Sequence, residues 1–89
     1  MLPLQDWVGR IVVVDLRSPY VALGTLARFD EHHLMLTDAD MHDLRDTPTG
    51  RENYVAESKM TGVKRNRKQV YIVAAEVVAV SKLSDVIDE

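Results

Sequence analysis

The chain has no cysteine, and among its 89 residues there are only one tryptophan, one phenylalanine, four glycines and three prolines. Without cysteine there are no disulfide staples, no thiolate zinc sites and no cysteine nucleophile. The scattered glycines form no Gly-rich loop of the kind that cradles phosphates. Long apolar runs are also missing. The longest, Val70 to Val80, is broken by Glu76, whereas a membrane-spanning helix needs about 20 apolar residues, so no membrane partner is expected. Met1-Leu2-Pro3-Leu4-Gln5-Asp6 lacks the basic start and apolar centre of a secretory signal, and the expectation is a cytoplasmic protein. Nor is there an excess of positive charge. Eleven Lys+Arg stand against 14 Asp+Glu, a formal net charge of −3, so any nucleic-acid site must be a local one.

What is present is ordinary globular composition, 46% hydrophobic and 28% charged. The length suits one domain, residues 1–89, and leaves no room for a two-domain enzyme. A core this small without staples is expected to gain stability from oligomerisation. Leu4, Trp7 and Val8 fall on one stripe of a short N-terminal helix over residues 1–8, with Pro3 at its start and Gly9 at its end. Ile11 to Leu16 is a β-branched strand closed by Ser18-Pro19. Tyr20 to Phe29 is a second, long and curved strand, in which Gly24 allows a sharp bend or close backbone approach. After a polar turn over Asp30 to His33, Leu34 to Leu44 reads as a third strand. Arg45 to Asn53, with Pro48 and Gly50, reads as a loop. Tyr54 to Gly62 fits a strand or one or two helical turns; we take it as a strand. Gln69 to Val73 and Val77 to Val80 are two short strands joined at Ala74-Ala75-Glu76, and residues 84–89 form an acidic tail expected to fray.

The stretch Trp7 to Asp40 resembles the first motif of the Sm/LSm family. Val8-Gly9-Arg10, Val12-x-Val14-Asp15-Leu16, Gly24-Thr25-Leu26, Phe29-Asp30 and Leu34-x-Leu36-x-Asp38-Ala39 follow that motif in order. The resemblance implies an all-β fold: a small, strongly bent, five-stranded antiparallel barrel, here with a long excursion between strands three and four. It also implies a homo-oligomeric ring, single-stranded RNA as ligand, and no enzymatic activity. An Asp after Phe can brace the following turn by accepting backbone N–H bonds. The family's RNA loop is one residue longer and carries an Asn, where this chain has Asp30-Glu31-His32-His33-Leu34 with His33 at the Asn position. Histidine can stack on a base and donate a hydrogen bond, but the usual uridine preference is not implied. The competing reading is a solvated pair of surface histidines.

The second family motif, Ile-Arg-Gly-x-x-Val-x-x-Ile, fits in two registers. One sets Arg65-Asn66 at Arg-Gly and ends the fold on Val70-Tyr71-Ile72. The other sets Ile72-Val73-Ala74 at Ile-Arg-Gly and makes Val77 to Val80 the fifth strand; it is preferred because it leaves two strands of matched length, and under it the RNA-reading Arg is absent. The run Lys64-Arg65-Asn66-Arg67-Lys68 either grips phosphates or is a solvated loop. Tyr54 and Tyr71 flank it loosely and form no repeating platform.

The residues expected at RNA are therefore Asp30, His32, His33, Arg65, Asn66, Arg67 and Lys68. Asp38, Asp40 and His42 alternate along strand three and would share a face if that strand were regular, yet they make no full ligand set; no metal or cofactor is expected. Asp43, Asp46 and the histidine pair lack a marked nucleophile, so no catalytic residue is assigned. Two functions stand: a ring that binds single-stranded RNA, or the same ring used as a protein-assembly scaffold.

Overall fold

A computed structural model describes residues 4–46 and 48–87. Five antiparallel strands, β1 (Ile11–Leu16), β2 (Tyr20–Phe29), β3 (His33–Asp43), β4 (Arg67–Val73) and β5 (Val77–Lys82), form one strongly bent sheet in the order β4-β3-β2-β1-β5. Strands four and five thus bound a sheet that is not closed within the subunit. They are joined by the short 3-10 turn Ala74–Glu76. Re-entry into the sheet at both 67–73 and 77–82 agrees with the preferred register of the second motif.

The bend has a local cause. Thr25 pairs with Thr37 and Leu23 with Asp40, so Asp38 and Ala39 together oppose Gly24, and Asp38 takes a left-handed φ of 49°. A second register shift falls between Leu26 and Arg28. A Cβ on Gly24 would lie 2.9 Å from the Ala39 Cβ and 3.1 Å from the Thr37 carbonyl oxygen, which is the close approach expected of this glycine. The bulge also switches which residues of β3 face inward. Leu34 and Leu36 point into the core before it, Ala39 and Met41 after it. Asp38 therefore does not share a regular face with Asp40 and His42: it is exposed, while the other two turn toward the opposite side of the sheet.

Both sides of the sheet are covered. Inside the bend lie Val12, Val14, Leu26, Leu34, Leu36 and Ile72, with Leu4 as a lid; outside lie Val13, Val21 and Leu23 against Tyr54, Val55 and Leu83. Burial on two faces explains why β1 reads as consecutive valines rather than as an alternation. The outer cover comes from α1 (Arg51–Thr61), where a strand was expected. Tyr54, Val55 and Ser58 form its buried stripe, and Gly62, at φ 95°, ends it by donating its N–H to the Ser58 carbonyl. The helix begins inside the expected loop over 45–53, which also contains a 3-10 turn at Leu44–Asp46. A stripe with serine in it, and aromatic and β-branched residues side by side, hides helical periodicity in the sequence. The sheet surface supplies the deciding burial.

The expected N-terminal helix is a single 3-10 turn, Leu4–Trp7, after which Gly9 (φ 90°) bonds to the Leu26 carbonyl; Pro3 lies outside the described residues. Of the expected tail, Ser84 and Asp85 continue a 3-10 turn from the buried Leu83, and Val86 packs on the outer cluster. Asp88 and Glu89 lie outside the described residues. No described helix is long and apolar enough to cross a membrane.

Candidate nucleic-acid interface

Asp30, directly after β2, organises the β2–β3 loop. Its Oδ1 accepts the backbone N–H groups of His32 and His33, each at 2.8 Å, while its own N–H donates to the His33 carbonyl at 2.9 Å. Those two N–H donors, that of His32 first, hold the Asp30 carboxyl below its usual range. The brace expected from the sequence is therefore present. It leaves both imidazoles exposed, with His32 Nε2 3.7 Å from Glu31 Oε1 and His33 Nδ1 4.0 Å from Asp30 Oδ1.

The loop sits against the turn between β4 and β5. The Ala74 N–H donates to the His32 carbonyl at 2.7 Å, and His33 stands opposite Val73 in the ladder. Glu31, His32, His33, Val73, Ala74 and Ala75 line the recess between them. Val73 occupies the place where the preferred register of the second motif expects arginine, so no guanidinium projects from that side of the recess.

The basic run lies elsewhere. Arg67 pairs with Ala39 and Val73 with His33, so Arg67 stands six residues along β4 from the histidine loop, about 20 Å at ~3.3 Å per residue. Asn66 stitches the excursion to β3. Its N–H donates to the Ala39 carbonyl (2.8 Å), its Oδ1 accepts the Met41 N–H (3.0 Å), and its Nδ2 donates to the Met41 carbonyl (3.0 Å) and to Asp40 Oδ1 (3.1 Å). Arg65 Nη1 lies 3.4 Å from Asp38 Oδ1, Lys64 Nζ 3.5 Å from Glu57 Oε1, and Arg67 Nη1 donates to the Asn66 carbonyl at 3.0 Å; Lys68 is exposed. The seven residues singled out in the sequence thus divide into an exposed, braced loop (Asp30, His32, His33) and a distant basic segment (Arg65 to Lys68) with Asn66 engaged in backbone pairing.

Beneath the end of α1, Asp40 is buried among His42, Tyr54, Ser58 and Asn66, and burial raises its carboxyl pKa. The His42 ring stacks on Tyr54 at 3.9 Å. The acid–base candidate Asp43 instead forms a forked pair with Arg45, at 2.7–3.2 Å, whose guanidinium pulls its pKa to about 2. Among the described residues no three His, Asp or Glu side chains converge as metal ligands.

Sequence spacing set Tyr71 beside the basic run, but the fold puts it next to the histidine loop. Its ring meets that of His33 edge-on, with centroids 6.1 Å apart, and its hydroxyl accepts a hydrogen bond from Arg28 Nη2. Arg28 and Tyr71 flank Met35 in consecutive ladders, a pairing that register alone reveals and that spacing could not.

No family model and no curated protein sequence matches the chain. Solved structures do. A heptameric archaeal Sm protein superposes at a TM-score of 0.60 and 26% identity, covering 89% of this chain and 93% of that one. The P. aerophilum Sm protein heptamer gives 0.60 and 26%, covering 89% and 85%. The Pyrococcus abyssii Sm protein, solved in complex with a uridine heptamer, gives 0.63 at 22% identity, covering 92% and 99%. With the motif order already read in β1 to β3, this likeness over nearly the whole chain shows that the protein has the Sm/LSm fold.

Proposed function

We propose that copies of this chain join through the free edges of β4 and β5 into a closed ring, and that the ring binds single-stranded RNA at the Asp30–His33 loop. The observation that carries the reading is the braced loop seated on the β4–β5 turn, with two exposed imidazoles. Support for the ring comes from β4 and β5 lying unpaired at the two ends of the sheet, with Val73 and Val78 half or more exposed. Unpaired strand edges are satisfied when an adjacent copy supplies the missing partner, and a rotation that closes gives a ring. The solved relatives that are heptamers, and the one in complex with a uridine heptamer, favour the same reading. The role is one of binding and assembly, without catalysis.

A second reading, the ring as a protein-assembly scaffold, is favoured by Val73 where an RNA-reading arginine is expected and by the net charge of −3. Titrating labelled oligo-U and oligo-A at two salt concentrations, with the solution mass measured in parallel, separates the two. A multi-copy mass with salt-sensitive binding is the expected result. A multi-copy mass with no binding even at low salt leaves the scaffold, and a stable monomer overturns both.

A further inference from the structure

The outer face of the sheet is only half covered. Helix α1 shields the end that carries Val13, Val21 and Leu23, and leaves bare the end where β2, β3 and β4 present Arg28, Met35 and Tyr71 in one row beside His33. Tyr71 is 51% exposed although its neighbours Val70 and Ile72 turn into the core. The guanidinium of Arg28 lies 5.8 Å from its ring centroid and donates to its hydroxyl, while the His33 ring stands nearly perpendicular to it at 6.1 Å. An exposed aromatic ring held in one orientation by two neighbours has lost its rotamer freedom before any ligand arrives. Its face suits a planar ring, and the remaining N–H donors of Arg28 suit a phosphate.

We propose that Tyr71, positioned by Arg28 and His33, is a base-stacking platform for single-stranded nucleic acid on this outer face. Arg28 takes an adjoining phosphate, and His33 links the platform to the Asp30–His33 loop. The inference rests on the RNA reading above and adds a second contact to it, formed by residues of three strands. Stacking tolerates any base, so the platform adds affinity without selecting uridine.

The test is anisotropy of labelled oligo-A and oligo-U with the full-length protein, at fixed low salt and then across a salt series. Tyr71→Ala is expected to weaken binding about tenfold or more. Tyr71→Phe, which keeps the ring, stays within about threefold of the unaltered protein. Arg28→Gln lowers affinity and reduces the magnitude of the salt slope by about one contact. Photocrosslinking the unaltered protein to oligo-U and mapping the adduct by mass spectrometry is expected to mark Tyr71, a readout that does not depend on any variant folding. If the unaltered protein binds and Tyr71→Ala binds within twofold of it, or if the crosslink lies only on other residues, the platform is overturned and the loop reading stands. If the unaltered protein binds no oligonucleotide at low salt, both fall together.

Discussion

The Cβ that Gly24 lacks would stand 2.9 Å from the Cβ of Ala39, at the point where two residues of β3 oppose one of β2. Backbone stands just behind it, the Ala39 Cα at 3.0 Å and the Thr37 carbonyl oxygen at 3.1 Å, so the added carbon has no room unless the bulge that bends the sheet opens. Gly24→Ala is expected to destabilise the fold by about 1–3 kcal/mol, the usual cost of overpacking a close-packed site. Urea unfolding followed by circular dichroism measures it, and an unchanged midpoint would refute this account of the bend.

The inner core sets a larger scale. Leu26 and Leu36 are fully buried on paired positions of β2 and β3. Leu26→Ala leaves a cavity in the middle of the bend and is expected to cost about 2–5 kcal/mol. The exposed Met60 of α1 provides the control: Met60→Ala should shift stability by under ~0.5 kcal/mol.

Asp30 braces its loop through two backbone donors, so the geometry of the side-chain oxygen matters more than its charge. Asp30→Asn keeps an acceptor and is expected to retain most of the RNA affinity. Asp30→Ala frees the His32 and His33 amides, which should then exchange faster with solvent while affinity falls several-fold. Hydrogen exchange resolved at those two residues, together with a binding titration, checks both halves.

Two aspartates respond to pH with opposite signs. Burial raises the folded-state pKa of Asp40 above 3.8, so the folded state holds its proton longer than the unfolded chain. Stability from this group is greatest below about 3.8 and declines as pH rises toward the folded value. Asp40→Asn, whose amide oxygen can still accept from Asn66, is expected to melt higher than the unaltered protein at pH 7, and the gap should shrink in acid. Asp43 runs the other way: paired with Arg45 and lowered to about 2, it stabilises above the unfolded value and loses that contribution as pH falls toward 2. Thermal melts of the two proteins across pH 2–7 separate these contributions.

The free edges carry the assembly prediction. Val78 on β5 is 65% exposed, and a lysine there places charge on an edge that must otherwise meet another strand. Val78→Lys is expected to lower the solution mass toward that of one subunit while the circular dichroism spectrum is retained. Light scattering after size exclusion gives the answer directly.

Much of this was written in the chain order. The valines of β1, Gly24, Phe29-Asp30 and the Leu-x-Leu of β3 specify three strands, a bend and a braced turn, because each depends on residues near in sequence and on local backbone preference. The two short strands after residue 66 were equally legible. The helix at Arg51–Thr61 was not, since its buried stripe of Tyr54, Val55 and Ser58 becomes helical through the sheet surface that receives it. Nor was the left-handed turn at Asp38, which redirects Asp40 and His42 away from the face that strict alternation would give them. The interface divides along the same line. Local spacing determined the Asp30 loop, but only strand register could take Arg65 to Lys68 away from that loop and bring Arg28 and Tyr71 up to it, because hydrogen-bonded pairing joins residues far apart in the chain and sets their distances independently of how far apart they are written.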